Sequence, residues 1–129
     1  MREILFRGKM PVESKWAYGS LISEANVFDK MLVLTHIYDK DCNEILVDPK
    51  TVGQYTGLCD KNGTRIFEGD IVKVGNALVR GIFAVEYSGM GACFIVSCGE
   101  SRYFLGGCSS EVIGNIHDNP DLLEENKWN

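Results

Sequence analysis

The stretch Thr51–Val74, TVGQYTGLCDKNGTRIFEGDIVKV, constrains the fold of this chain more than any other. Two short strand-like segments, Val52–Tyr55 and Ile66–Phe67, flank Asp60-Lys61-Asn62-Gly63, and the Asn-Gly step supplies the positive φ angles of a tight hairpin turn. The chain must reverse there. A second reversal falls at Glu68-Gly69, and the β-branched residues of Asp70-Ile71-Val72-Lys73-Val74 then suit a further strand. The expectation is a compact antiparallel meander.

Glycine-rich turns continue this rhythm on both sides. Glu3–Arg7 is a short strand candidate stopped by Gly8 and Pro11, and in Trp16–Leu21 the alternation places Trp16 and Tyr18 on one face, covering a side of the core. Met31–Tyr38 and Glu44–Val47 surround the polar cluster Asp39–Asn43 as a hairpin with a longer loop. Between them an irregular loop is expected, the alternative being a helix over Leu21–Leu34 with Leu21, Ala25, Phe28 and Leu32 at helical spacing. Beyond the meander, Ala77–Tyr87 offers Val79, Ile82, Phe83 and Val85 to the core, with Gly81 marking a bulge or bend. Ala92–Ser97, Tyr103–Leu105 and Val112–Ile116 follow as strands. Asn119-Pro120 then sets an N-cap and a first-turn proline for a helix of no more than about two turns. The turn spacing predicts a mainly β protein. Its core is a small curled antiparallel sheet or SH3-like, partly open barrel over about residues 51–116. A β/irregular segment, 1–50, precedes it and a tail with a short helix, 117–129, follows.

The same residues carry a family resemblance. Gln54-Tyr55-Thr56-Gly57-Leu58, Asp60-Lys61-Asn62-Gly63 and Ile66-Phe67-Glu68-Gly69-Asp70-Ile71-Val72 resemble the signature of the YopX family. So do Phe6-Arg7-Gly8-Lys9 near the start and Glu111–Pro120 near the end. Cys59 stands where a charged residue is usual and His117 where an aromatic is common. The resemblance implies a single YopX-like domain over 1–129, mainly β, encoded by a bacteriophage or prophage, of unestablished biochemical role. It brings no catalytic residues.

Composition narrows function by exclusion. At 129 residues the chain can bury a core without disulfides, and 45% apolar with 24% charged residues matches an ordinary soluble protein. The first fifteen residues mix charges with apolar side chains and the longest apolar run, Ala92–Val96, is far below the ~20 residues that cross a bilayer. The expectation is a cytoplasmic protein of a bacterial host, not bound to membrane. A net charge of −5 with scattered Lys and Arg is unlike a generic duplex binder. Cys42, Cys59, Cys93, Cys98 and Cys108 are expected as reduced thiols.

Candidate reacting groups are few. Asp39-Lys40-Asp41-Cys42-Asn43-Glu44 begins like a calcium loop, but Glu44 replaces the glycine of the sharp turn and Lys50 the final bidentate glutamate. Cys93, Cys98 and Cys108 with His36 or His117 could surround zinc, although no Cys-x-x-Cys exists. Cys59 beside Asp60 is a poor nucleophile, and neither histidine accompanies a nucleophile elbow. Glu68 and Asp70, two apart, would share a face if extended and could serve as an acid and base pair, or cap turn N–H groups. Ser88-Gly89-Met90-Gly91 lacks the lysine and helix of a phosphate loop and is a turn.

No catalytic, metal or cofactor site is therefore expected. The first reading is a non-enzymatic interaction or assembly module for an unidentified host or phage protein or a homo-oligomer. The second is a nucleic-acid-binding barrel using Lys61, Arg65, Lys73 and Arg80, with rings among Tyr55, Phe67, Tyr87, Tyr103 and Phe104, most of which should be core. The third is a small enzyme acting through Glu68 and Asp70.

Overall fold

A computed structural model describes residues 2–25, 33–75, 79–107 and 109–126. Eleven strands run through them: β1 (Phe6–Lys9), β2 (Trp16–Ala25), β3 (Val33–Tyr38), β4 (Glu44–Leu46), β5 (Asp48–Cys59), β6 (Arg65–Phe67), β7 (Asp70–Gly75), β8 (Arg80–Ser88), β9 (Cys93–Cys98), β10 (Ser101–Phe104) and β11 (Ser110–Asn115). Two short 3-10 helices, Leu105–Gly107 and Pro120–Asn126, complete the described elements. The chain divides into two compact units, Met1–Tyr55 and Thr56–Asn129.

In the first unit the strands lie in the order β4-β3-β2-β1-β5, every described pairing antiparallel. Its core is Ala17, Ile37 and Val47, with Phe6, Leu21, Ile45 and Val52 against them. The small residues make this possible. A Cβ on Gly8 would stand 2.7 Å from Val47 Cγ2, so Gly8 continues β1 instead of stopping it as the sequence suggested.

The alternation in β2 is real but its faces are reversed. Ala17 is buried at 4% exposure while Tyr18 is 46% exposed. The bulky face points away from the core because Gly8 and Ala17, paired across β1 and β2, leave room for Val47. On the face opposite Ala17 the buried Arg7 guanidinium lies 4.6 Å over the half-buried Trp16 ring, a cation–π contact. The two ends of the alternative helix, Leu21–Ala25 and Val33–Leu34, are strand; residues 26–32 lie outside the described residues.

The second unit holds a five-stranded antiparallel sheet, β10-β9-β8-β7-β11. Val72, Val74, Phe83, Val85 and Val96 form its inner face, with Ile66 and Leu105 closing on them. Ile82 alternates to the opposite face. The sheet is open, not a barrel. The expected meander also breaks: β6 pairs with the end of β5, whereas β7 pairs with β8 and β11, so the Glu68-Gly69 turn carries the chain from one sheet to the other. The β7–β8 register runs unbroken past Gly81, which has φ 140°, and the bulge lies in β11, between Val112 and Gly114. The C-terminal 3-10 helix starts at Pro120 as the sequence suggested, with Asn119 O accepting from Leu122 N at 3.1 Å, but the Asn119 side chain turns back toward β11. Its Oδ1 accepts from Asn115 N at 3.3 Å, beside Gly114, where a Cβ would stand 2.6 Å away.

Candidate functional site

The Asp60 turn shows how the second unit spends its acidic side chains. Gly63 N donates to Asp60 O at 3.0 Å and Asp60 N to Thr64 O at 2.8 Å, with Gly63 at φ 83°. Asn62 has no positive φ, so this is a three-residue loop with a glycine bulge, not the two-residue turn expected from Asn-Gly. Asp60 Oδ1 accepts from Asn62 N and Thr64 N at 2.8 and 2.9 Å, and Oδ2 accepts from Val112 N at 2.9 Å. Burial pushes the Asp60 carboxyl up. The N–H groups of Val112, Thr64 and Asn62, with Lys61 nearby, outweigh it and hold the pKa below 3.8. With Lys61 N donating to Ser110 O at 3.0 Å, the turn covers the outer edge of β11.

Asp70 is spent in a similar way. It is 2% exposed and its Oδ2 accepts from Phe67 N at 2.7 Å across the turn. Gly69, with φ 93°, takes the chain out of the extended form, so the premise that would put Glu68 and Asp70 on one face is not met.

The calcium-like loop is also a turn. Asp39 Oδ1 accepts from Asp41 N and Asn43 N, both at 2.9 Å, and Oδ2 accepts from Asn43 Nδ2 at 3.1 Å. These N–H groups hold the Asp39 pKa below its ordinary value, those of Asn43 first. Of the zinc candidates, Cys93 and Cys98 sit at opposite ends of β9. Four residues lie between them, so five strand steps of ~3.3 Å hold them about 16 Å apart on opposite faces, too far to share an ion. Cys108 lies outside the described residues. His36 Nδ1 stands 3.6 Å from Glu44 Oε1, and His117 N donates to Asn115 Oδ1 at 3.0 Å. Among the described residues no three His, Cys, Asp or Glu side chains gather as a metal site.

The four cations of the nucleic-acid reading are partly brought together. Register puts Lys73 opposite Glu111 and Gly75 opposite Arg80, so Lys73, Arg80 and Glu111 share the outer face of the sheet. Lys61 reaches the same place through an ion pair of 3.4 Å to Glu111. Arg65 starts β6 and is exposed. The rings divide: Tyr55 and Phe67 are buried, whereas Tyr87, Tyr103 and Phe104 are exposed at 50%, 40% and 72%.

Those exposed rings mark the other edge of the sheet. Cys98-Gly99-Glu100-Ser101 is a two-residue hairpin with Gly99 at φ 61°, and it delivers β10 as the outermost strand. All four residues of β10 are exposed. Tyr103 meets Phe83 edge to face at 5.8 Å, while Arg102 Nη1 reaches Glu86 Oε1 at 3.3 Å. Arg102, Tyr103 and Phe104, with Ile95, Cys93, Gly91 and Ser88, line a groove of about 480 Å³. Fully exposed Met90 stands in the adjoining turn. Sequence reasoning named Phe104 only among rings most of which should be core; strand order in the sheet sets it beside Arg102 at an exposed edge.

These features define an all-β protein of two open antiparallel sheets, with Asp39, Asp60 and Asp70 bound up in turns and an aromatic sheet edge exposed. It belongs to the YopX family: that family's model, described as YopX protein, matches residues 5–124. Among solved structures the chain is similar to the crystal structure of protein EF1440 from Enterococcus faecalis. The two share 23% identity and a TM-score of 0.58, over 95% of this chain and 99% of that one. At this identity the likeness speaks for the fold alone. No curated protein matches the sequence.

Proposed function

We propose that this chain is a phage or prophage accessory protein that works in the bacterial cytoplasm as a non-enzymatic interaction module, binding a host or phage protein or further copies of itself. The observation that carries the reading is the contrast between the two edges of the five-stranded sheet. Asp60 and Lys61 cover β11 by accepting from Val112 N and donating to Ser110 O. The β10 edge instead presents Arg102, Tyr103 and Phe104 beside a groove. An exposed strand edge can accept an added strand, main-chain hydrogen bonds supplying affinity and adjacent pockets selectivity. The family supports the reading only in leaving the role open.

The test is size-exclusion chromatography with light scattering, alongside capture from infected or lysogenic cells, on wild type and Phe104→Lys. Because Phe104 is 72% exposed, the substitution leaves urea stability nearly unchanged, within about 0.5 kcal/mol. The expected result is an assembly or a captured partner that the wild type holds and the variant loses. A wild-type monomer at micromolar concentration whose captured material is the same as the variant's overturns the reading.

A further inference from the structure

We propose that the second unit carries a binding site for a phosphoryl group on its outer face, independent of the β10 edge. A cavity of about 150 Å³ is lined by Lys61, Lys73, Gly75, Ser109, Ser110 and Glu111. That is about five water volumes of roughly 30 Å³ each, room for a tetrahedral oxyanion but not for a base and sugar.

Two observations point to an acceptor-rich ligand. Ser110 is only 5% exposed, and its hydroxyl has no hydrogen-bond partner among the described residues. The hydroxyl is not sealed in the core but opens to the cavity, where it can donate to a bound acceptor. Lys73 is the second. Its cross-strand neighbour is Glu111, yet the Glu111 carboxylate turns to Lys61, 3.4 Å away, and the Lys73 ammonium has no ion-pair partner among the described residues. The cavity therefore offers one uncommitted ammonium, a second held by an exposed pair that is worth little, and a serine hydroxyl able to donate.

The backbone removes part of what would oppose an anion. Ser109 O already accepts from Gly75 N at 3.3 Å and Ser110 O from Lys61 N at 3.0 Å, so each carbonyl dipole is engaged within the protein. Glu111 remains as the opposing charge, balanced by Lys61, which leaves a net charge of about +1 at the rim. Such a site binds at roughly millimolar strength and selects a compact dianion over a monoanion.

The test is a ¹H–¹⁵N NMR titration of the whole chain with inorganic phosphate at constant ionic strength. The expected result is saturable shifts confined to the amides of Lys61, Lys73, Gly75 and Ser109–Glu111. Lys73→Gln weakens the binding about tenfold, the loss of one charge-assisted hydrogen bond. Glu111→Gln tightens it about fivefold by removing the repelling carboxylate. Both are exposed or half-exposed, so both fold; Ser110→Ala is a third variant, expected to weaken binding.

A parallel titration compares a 5′-phosphorylated with an unphosphorylated dinucleotide. Tighter binding of the phosphorylated form than of free phosphate makes the ligand a phosphate monoester, equal binding makes it the free ion, and either supports the site. Linear, unsaturable shifts, or saturable shifts that Lys73→Gln and Glu111→Gln leave unchanged, overturn it.

Discussion

The turns at Asp39–Asn43 and Asp60–Thr64, one in each unit, are built on the same plan. In each, the first residue's N–H donates to the fifth residue's carbonyl, and the fourth residue's N–H donates back to the first residue's carbonyl. The aspartate Oδ1 accepts from the third and fifth N–H groups, and the fourth residue has positive φ: 63° at Cys42 and 83° at Gly63. They differ in the remaining oxygen. Asp39 Oδ2 bonds within its own loop, to Asn43 Nδ2, whereas Asp60 Oδ2 accepts from Val112 N, 52 residues away. One motif closes a hairpin, and the other also ties that hairpin to a sheet edge. What an aspartate turn is worth depends on where its spare lone pairs go.

The largest expected effect follows from that difference. Asp60→Ala strips acceptors from Asn62 N, Thr64 N and Val112 N together and should lower stability by about 3 kcal/mol in urea unfolding. Asp39→Ala, all of whose bonds are local and exposed, should cost much less. Equal losses in the two variants would show that the bond to Val112 adds nothing.

Acid sharpens the comparison. Both aspartates have folded pKa values below 3.8. Their contribution is thus complete above about pH 4, where the unfolded carboxyl is ionised, and is lost as pH falls through the folded pKa. Stability measured from pH 5 downward should fall more steeply in wild type than in Asp60→Asn, which cannot titrate. Asp39→Asn should change that slope less. Identical slopes in wild type and Asp60→Asn would break the argument.

How much of this the chain disclosed follows the range of each interaction. Residues close in sequence disclosed the turns at Asp60–Gly63, Asp39–Asn43 and Ser88–Gly91, and most strands between them, because a reversal is decided by its own few residues. Alternation in β2 disclosed two faces but not which was inner. That choice lay with Gly8, on β1, and Val47, in the link between β4 and β5. The same limit hid the break between β6 and β7, since a tight turn leads equally well to a paired neighbour or to another sheet. At the candidate sites, Lys61, Lys73 and Phe104 were legible as residue types. Ser109 and Ser110 were not, because which serines line a cavity beside a lysine depends on strand pairing far away in sequence. Asp60 was read only as part of a turn, with nothing in its surroundings to announce Val112.

The smallest effects separate the left-handed position from the carboxylate. A Cβ added at Gly63 meets no atom within 4 Å, so Gly63→Ala pays only for placing an L-residue at positive φ, about 1 kcal/mol in chemical denaturation. Cys42 already bears that cost, and Cys42→Gly should relieve it. Glycine's greater freedom in the unfolded chain takes back part of the gain, leaving about 0.5 kcal/mol of net stabilisation. Opposite signs for the two substitutions would show that the turns share one backbone plan and that only the first carries a residue poorly suited to it. If Cys42→Gly instead destabilises, the exposed Cys42 side chain is making a contribution larger than its backbone strain, and the likeness between the turns ends at their hydrogen bonds.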